Sequence, residues 1–486
     1  MARAPAGDYE APRADVARLN YSKRGAPQMQ ASHSWRSRLQ PVVAGGVFVF
    51  TLTCRIRGIT REFWLLGDQI RDWGIALRPF HELPLVGPPT HVHGYTIGPA
   101  YYWLMWAIRV TVGPWFDNLP HSGGIGQAIV ESFADAVLFC AVWYRTRSVW
   151  LALATILAIA TAAYDVALSA IVWTTVIASA FGKLAVALVL LGWHRASVAR
   201  LAVVAALAWS AVHVYSGAIF VTAGVFGALV SEPLVRRDWR AAGRAAATIA
   251  LVVGALQVPY LVYQIQTRAS DPAMGAVTGS LSRIVTGRDA PEVAKSLNGF
   301  ASAFQFIQGF PWTIGWAPWL LLAADIVVAI RYRRDVALLM LTLAPQAAAI
   351  VGYALFLGAL DHYYYIPVVP LAVVAIALAM TLPERPMVNH TIGIVLLLAI
   401  ATVVPTRLRM AGRLHRMPEY AALVRGSRRI AGMGQPMRAV RTAFPLQPTS
   451  DPEFLYKILG GRIDRNATWV ATIAGDGQVS YRQITE

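Results

Sequence analysis

The chain alternates between long runs of apolar residues and shorter polar segments. A helix needs about 20 residues to cross a bilayer, and most of these runs reach or approach that length. They are residues 41–56, 124–143, 149–164, 166–192, 199–230, 246–263, 313–330, 336–358, 364–381 and 390–405. The run 199–230 is broken near His213–Gly217, and the shorter apolar run 98–113 contains Arg109. The pattern predicts an all-α polytopic membrane protein.

Composition leads to the same class. Of the 486 residues, 56% are apolar and only 14% are charged, whereas a soluble globular chain carries about 25% charged residues. The mean hydropathy is +0.49. These values exclude a soluble, disordered, collagenous or coiled-coil protein as an overall description. Cys54 and Cys140 are the only cysteines, so neither a disulfide framework nor a cysteine-based metal site is predicted.

The net charge of +17 is distributed in a way that is typical of membrane topology. Much of the excess lies in short loops between apolar runs: Arg145 and Arg147; Arg236, Arg237 and Arg240; and Arg331, Arg333 and Arg334. Cytoplasmic loops of membrane proteins carry such an excess of cations. With no zinc-binding spacing and no basic helix beside it, the charge favours an anionic bilayer as the partner and argues against nucleic acid.

The basic loops also predict an orientation. Residues 1–40, rich in Pro, Ala and Arg, are expected to form a flexible cytoplasmic tail. If 98–113 only enters the interface, all the basic loops lie in the cytoplasm and eleven spans result. If it crosses the bilayer, thirteen result. Both topologies put the C-terminus outside, and we favour eleven.

Three segments are then extracytoplasmic: 57–97, 264–312 and 406–486. The transmembrane domain covers 41–405. Residues 406–486 are basic, and Gly475-Asp-Gly477 between two β-branched runs is typical of a hairpin turn. A small α+β domain is therefore predicted at the C-terminus.

The first outer loop carries the most chemistry. Asp68 follows the first span by about one helical turn, where a partly desolvated carboxylate would be suited to act as a general base. Arg71, His91 and His93 could bind an anionic group. Group transfer at the membrane surface is the reaction this combination suggests.

Each of these residues also has an ordinary structural explanation. Asp68 could cap a helix over 70–78, and we give the cap and the base equal weight. His91 and His93 could bind a metal, but hydrogen bonding within the loop is the favoured interpretation. Glu82 is expected to be a solvated loop acid.

More polar residues are predicted at the same membrane face. Ionisable groups in or beside spans are costly and usually mark a site, although tyrosines can simply anchor at the headgroups. The residues are Glu131, Asp135, Asp165, His213, Asp361, His362, Tyr363, Tyr364 and Tyr365. Lys183 and Asp325 lie within spans and are expected to snorkel or to pair. A lipid-borne phosphate could be covered by Arg268, Arg283 and Arg288 of the loop 264–312.

Over residues 41–405 the chain resembles the GT-C superfamily of membrane glycosyltransferases, especially its protein O-mannosyltransferase and lipid A aminoarabinose transferase branch. The resemblance is carried by Asp68 in the first loop, Gly98-Pro99-Ala-Tyr101-Tyr102-Trp103, Asp165, His213 and Tyr364-Tyr-Ile366-Pro367-Val-Val-Pro370. Two positions depart from the family pattern. Asp68-Gln69 stands where Asp-Glu is frequent, and Ile97-Gly98 where a Lys is frequent, so Arg71 or His93 would have to contact the phosphate.

The resemblance implies an inverting transfer of a sugar from a polyprenyl-phosphate donor to an extracytoplasmic glycan, lipid or protein. Asp68 would be the base and Asp165 a second acid. The substrate-binding residues would be Arg71, His91, His93, Tyr101, His213, His362 and Tyr363. No metal and no cofactor besides the lipid-linked sugar is implied, and the expected location is the inner membrane of a bacterial cell. A transporter or lipid flippase and a non-catalytic assembly protein remain as alternatives.

Overall fold

The computed structural model describes residues 26–90, 94–169, 171–267, 272–309, 315–356, 360–382, 385–446 and 449–484. For residues 26–38 and 272–277 only the backbone is described. The chain divides into two compact units, residues 1–43 and residues 44–486. The site and its surroundings belong to the second unit.

Helices dominate the described part of the chain. In order they are α1 (Ala26–Ile56), α2 (Ile59–Glu62), α3 (Gly67–Ala76), α4 (Ala100–Thr111), α5 (Pro120–Thr146), α6 (Val149–Ala160), α7 (Ala163–Ser169), α8 (Thr174–Leu190), α9 (Val198–Val214), α10 (Ile219–Val235), α11 (Trp239–Thr267), α12 (Pro272–Val285), α13 (Val293–Gln308), α14 (Ala317–Arg331), α15 (Val336–Ala354), α16 (Val369–Ala379), α17 (Pro386–Ala411), α18 (Tyr420–Ala431) and α19 (Pro452–Ile458). Side-chain caps fix several starts; the hydroxyl of Ser148, for example, accepts from the backbone N–H of Leu151 at the start of α6.

The polytopic helical class predicted from the sequence is confirmed. Within the described residues, six helical segments are long and apolar enough to cross a membrane, or seven if the bent pair α6 and α7 forms one span. Helices α8, α9 and α16 are apolar but shorter. The predicted break near His213–Gly217 is the junction between α9 and α10. The totals of eleven or thirteen spans remain predictions.

Helix α5 defines the two ends of the bundle. At its start, the ring Nδ1 of His121 lies 3.0 Å from the hydroxyl of Tyr420 in the C-terminal segment. At its far end, Arg145 pairs with Asp335 and the side-chain amide of Asn389 donates to the carbonyl of Thr146. We call the first the loop end and the second the basic end. Loops that the sequence predicts to be cytoplasmic thus meet at the basic end.

Helix α4 stays at the loop end. The hydroxyl of Tyr102, in its first turn, donates to Asp72 of α3. Beyond its last turn, the carbonyl of Asn118 accepts from the indole of Trp73, also in α3. The start of α4 and the segment just beyond its end therefore both contact α3. This favours the interpretation in which 98–113 does not cross the bilayer.

The C-terminal segment forms the predicted α+β unit. Strands β1 (Ala439–Thr442), β2 (Trp469–Ile473) and β3 (Val479–Gln483) form one sheet in that order, with β1 parallel and β3 antiparallel to β2. The hairpin between β2 and β3 confirms the turn predicted at Gly475–Gly477. The segment is tied to the first loop, where the backbone N–H of Met417 donates to Glu62 and the hydroxyl of Thr449 accepts from Gly67.

Two predicted loop regions contain more regular structure than expected. Helix α1 begins at Ala26, inside the predicted tail 1–40, and residues 1–25 lie outside the described part. The predicted outer loop 264–312 contains helices α12 and α13. Helix α13 is amphipathic and buries Phe300, Phe304 and Ile307, so its apolar residues pack against the bundle instead of spanning it.

Candidate functional site

Five connected polar residues of α3 and α4 form the first part of the site. On α3, the guanidinium Nη1 of Arg71 donates to Asp68 over 2.8 Å, and its Nε donates to Asp72 over 2.8 Å. The same carboxylate of Asp72 accepts from the hydroxyls of Tyr101 at 3.2 Å and Tyr102 at 3.1 Å. Arg71 is thereby held between one exposed and one buried acid.

The two acids of α3 differ in their surroundings. The side chain of Asp68 is 57% exposed, so the protein itself does not desolvate it, and the desolvation expected from the membrane interface stays a prediction. Asp72 is 4% exposed, and its burial raises the pKa of the carboxyl, an effect that the hydrogen bond from Arg71 opposes. Asp68 does not cap the helix either, because Leu66 occupies the cap position and its N–H is bound by the side chain of Gln69.

The resemblance implies a substrate contact for Tyr101, and Asp72 was not predicted to be part of the site; the structure pairs the two. Tyr101 is completely buried. Its hydroxyl donates to Asp72 and so holds the carboxylate that binds Arg71. The signal was available in part: Asp72 lies one turn after Asp68, with two adjacent tyrosines at the start of the next apolar run.

His213 lies against the start of α4. The residue is buried, and its Nε2 lies 2.7 Å from the side-chain carbonyl of Gln257. A β-carbon at Gly98 would lie only 2.2 Å from Nδ1 of His213. The close approach explains why Gly stands at this position, and it brings together two residues that the sequence analysis singled out separately.

Tyr363 and Tyr364 complete a set of contacts around the loop end. The Trp173 ring lies 5.8 Å from that of Tyr363, and Tyr364 stacks on Tyr215 at 6.2 Å. The amide of Gln69 on α3 donates to the carbonyl of Val172. Contacts thus connect α3, the segment before α8, the Tyr363 region and the junction of α9 with α10.

An aromatic cluster extends this surface. It comprises Trp64, Tyr164, Phe306, His362 and His415, which come from five different parts of the chain. Trp64 stacks on His415 at 4.4 Å, His415 lies 5.4 Å from Tyr164, Tyr164 lies 4.8 Å from Phe306, and Phe306 stacks on His362 at 4.5 Å. We call these five residues the aromatic cluster.

Asp165, next to the cluster in sequence, faces the interior. Its carboxylate lies 3.0 Å from Nη2 of Arg55 on α1. The same guanidinium lies 2.7 Å from Asp135, and Lys183 contacts Asp135 at 2.6 Å and Glu131 at 2.5 Å. We call these five residues the ionic network.

The network joins four helices and is almost entirely shielded, with its side chains between 0% and 7% exposed. Asp165 is thus committed to an ion pair in this structure, whereas the resemblance implies a second acid of the catalytic site. The pairing predicted for Lys183 is confirmed. Arg55 was missed because nothing at the end of an apolar run reveals a partner 110 residues away.

The remaining predicted residues give no further site. His91 and His93 lie outside the described residues, as does Arg268. Arg283 pairs with Asp289 at 2.6 Å. Across the described ranges, no group of three or more His, Cys, Asp or Glu side chains is arranged to hold a metal ion.

The chain is similar in fold to a solved membrane protein. No family model matches the chain, and no curated protein matches it significantly. The crystal structure of ArnT from Cupriavidus metallidurans in the apo state is similar to it, with a TM-score of 0.48 and 14% sequence identity over 91% of this chain and 93% of that chain.

Proposed function

We propose that the chain is a membrane glycosyltransferase that moves a sugar from a polyprenyl-phosphate donor to an extracytoplasmic acceptor, with inversion at the anomeric carbon. The observation that carries the proposal is the accessible carboxylate of Asp68 on a guanidinium that Asp72 holds in place. Transfer of a sugar from a phosphate to a hydroxyl needs a base that substrate can reach, and the fixed cation beside Asp68 holds that base in place.

Asp68 would act as the general base. The acceptor hydroxyl gives its proton to the Asp68 carboxylate while its oxygen attacks the anomeric carbon. The bond between that carbon and the phosphate oxygen breaks, and polyprenyl phosphate leaves with the electron pair. One displacement from the face opposite the leaving group inverts the configuration, and no covalent enzyme intermediate forms.

Arg71 would position the base on the acceptor's side of the anomeric carbon. Its Nη1 contacts Asp68 and its Nε contacts Asp72, so its plane is fixed before substrate arrives. A preorganised donor is worth more than one that must reorient during reaction. Tyr101 and Tyr102 hydrogen-bond to Asp72, and Asp72 in turn holds Arg71. Asp72, Tyr101 and Tyr102 would therefore be positioning residues.

The aromatic cluster would form part of the sugar site. Ligand pockets are lined mainly by aromatic and apolar side chains with a few convergent polar groups, and the cluster offers His362 and Tyr164 beside Phe306. His362 is half-buried and its Nε2 lies 3.2 Å from the hydroxyl of Ser302, which orients the ring.

The side of the membrane follows from charge. Arg145 and Asp335 join two Arg-bearing loops at the basic end, and such loops are retained in the cytoplasm. Asp68, the aromatic cluster and the C-terminal segment would then be extracytoplasmic, in what we propose is a bacterial inner membrane.

The test is mass spectrometry of envelope glycans and lipids from cells with and without the chain, followed by complementation with the wild type or Asp68→Asn. We expect one glycan or lipid to lose a single sugar without the chain, and Asp68→Asn not to restore it. Uptake of a labelled substrate with no covalent product would instead indicate a transporter. Full complementation by a correctly inserted Asp68→Asn protein would indicate an assembly protein.

A further inference from the structure

A cavity lies between helices of the bundle, and no residue of the ionic network lines it. It has a volume of about 300 Å³ and is lined by α6, α13, α16 and α17. That volume is at the lower end of the range for ligand sites, about 300–1,000 Å³. Its wall is apolar over most of its length, with small residues such as Ala154 and Ala399 leaving the space. We call it the α17 trench.

One end of the trench is polar. Arg407 lines it and is 3% exposed. Its Nη2 donates to the side-chain carbonyl of Gln308 over 3.1 Å, and its Nη1 donates to the backbone carbonyl of Ala158 over 3.3 Å. An ionisable side chain buried near the end of a spanning helix is costly and is usually retained for a substrate or ion.

The polar end of the trench lies at the loop end of the bundle. Its lining positions on α17 run from Leu396 to Arg407, a distance of about 16 Å at 1.5 Å per residue. Arg407 is near the last turn of α17 and Gln308 ends α13, so the polar end is at the loop end. Leu151, near the start of α6, lines the opposite part. Met380 and Ala399 are exposed, so the trench opens to the lipid-facing side.

We infer that the α17 trench binds one isoprenoid chain of a polyprenyl phosphate, with the phosphate at Arg407 and Gln308. The planar guanidinium matches phosphate oxygens better than any other side chain, and the Gln308 amide carries two further N–H donors. A cavity of this size accepts the isoprene units nearest the phosphate of one chain, whereas a diacyl phospholipid brings two chains. That this lipid is the sugar donor rests on the proposed function.

The position of the polar end fits a donor lipid. At the end of α13, a β-carbon on Gly309 would lie 2.6 Å from the β-carbon of Ala163, so the start of α7 is in direct contact. The next residue, Tyr164, packs on Phe306 of the aromatic cluster. A sugar attached to a phosphate at Arg407 would therefore extend toward that cluster. In this proposal the cation at the phosphate is Arg407, and not Arg268, Arg283 or Arg288, nor the Arg71 or His93 that the resemblance pointed to.

The experiment measures lipid binding to the full chain in nanodiscs, independently of transfer. The probes are undecaprenyl phosphate, undecaprenol and dioleoyl phosphatidic acid. Arg407→Gln should weaken binding of undecaprenyl phosphate by about tenfold or more and leave the weak binding of undecaprenol unchanged. Arg409→Gln is the matched control, because Arg409 is exposed on the same helix and does not line the trench.

A second pair of variants tests the apolar wall. Ala399→Trp fills the trench and should weaken both isoprenoid probes, whereas Leu398→Trp, at a position that is 63% exposed and outside the trench, should weaken neither. This pair keeps the test decisive if Arg407→Gln fails to fold. Unchanged binding in folded Arg407→Gln or Ala399→Trp protein overturns the inference, and so does equal affinity for phosphatidic acid.

Failure of this inference can be told apart from failure of the proposed function. Asp68→Asn should bind undecaprenyl phosphate like the wild type and transfer sugar only at a small residual rate. If it transfers sugar normally, the catalytic proposal fails while the lipid site stands. If Arg407→Gln binds normally, the lipid site fails whatever Asp68 does.

Discussion

The Nε of Arg71 donates to the carboxylate of Asp72 over 2.8 Å, with Asp72 buried beneath it. Since the other side of the same guanidinium contacts the exposed Asp68, the bond connects the interior of the loop end to its surface. A buried acid thus determines where a surface acid sits.

Replacing Asp68 by Asn should leave only a small residual rate of transfer. The amide is nearly the same size but accepts no proton from the acceptor, and loss of a general base typically lowers the rate 10²- to 10⁴-fold. The measurement is the turnover of purified protein with a polyprenyl-phosphate sugar, with thermal unfolding in detergent to check the fold. Glu82→Gln is the control, because Glu82 is an exposed acid of the same loop. Equal loss in both variants would contradict a specific role for Asp68.

Replacing Asp72 by Asn should slow transfer about tenfold by freeing Arg71, with little change in KM for the acceptor. The control for a merely structural effect is the double variant with Asp68→Asn. If Asp72 acts through Arg71 on Asp68, the second substitution should add nothing to the first, because residues that act as a unit are not additive. Independent, multiplicative losses of kcat would refute the positioning role.

The difference between Asp68 and Asp72 also shows where the sequence stops being informative. Helix positions, the break at His213 and the hairpin near Gly477 follow from local periodicity and turn residues, which act over a few positions. The burial of Asp72 depends on Tyr101 and Tyr102, 29 and 30 residues away.

Contacts between residues far apart in the sequence were even harder to predict. The partners of Arg55 lie up to 110 residues distant, and Arg407 meets Gln308 across 99. Apolar periodicity carries no signal for which polar side chains meet inside a bundle. The sequence therefore identified Asp165 as unusual but could not show that its carboxylate faces a guanidinium.

Within the ionic network, Asp135→Asn should cost far more stability than Glu131→Gln. Asp135 contacts both Arg55 at 2.7 Å and Lys183 at 2.6 Å, and breaking a buried pair typically costs about 3–5 kcal/mol. The network holds three carboxylates against two cations, so Glu131→Gln removes the excess negative charge. Midpoints of thermal unfolding in detergent compare the two. Equal destabilisation by the two substitutions would show that the network needs a negative charge at Glu131 as well as at Asp135.

Replacing Gly98 by Ala should destabilise the start of α4 by about 1–3 kcal/mol, as overpacking does. The new β-carbon would lie 2.2 Å from Nδ1 of His213, which Gln257 holds in place. The combined variant with His213→Ala should recover much of the loss, because the smaller side chain makes room. Gly254→Ala is the matched control, since nothing lies within 4 Å of its added carbon. Failure of His213→Ala to rescue Gly98→Ala would mean that the clash is relieved elsewhere.

Acid should destabilise the aromatic cluster through His415. Burial lowers the pKa of its ring from 6.5 to about 4, and Nε2 has no hydrogen-bond partner among the described residues. Between these pH values the unfolded chain binds a proton that the folded chain does not, so stability falls as the pH drops from 6.5 toward 4, by up to about 3 kcal/mol. The neutral ring of His415 makes its full contribution to the free energy of unfolding above pH 6.5.

The variant His415→Asn isolates this contribution. Asn tolerates the left-handed backbone at φ 49° and has no group that titrates in this range. It loses the stacking on Trp64, so its unfolding midpoint should be lower at pH 7. Other groups titrate in both proteins, and the relevant quantity is therefore the difference between the two pH slopes. We expect the wild type to lose more stability than His415→Asn between pH 6.5 and 4.5; parallel slopes would show that the ring takes up its proton without leaving the cluster.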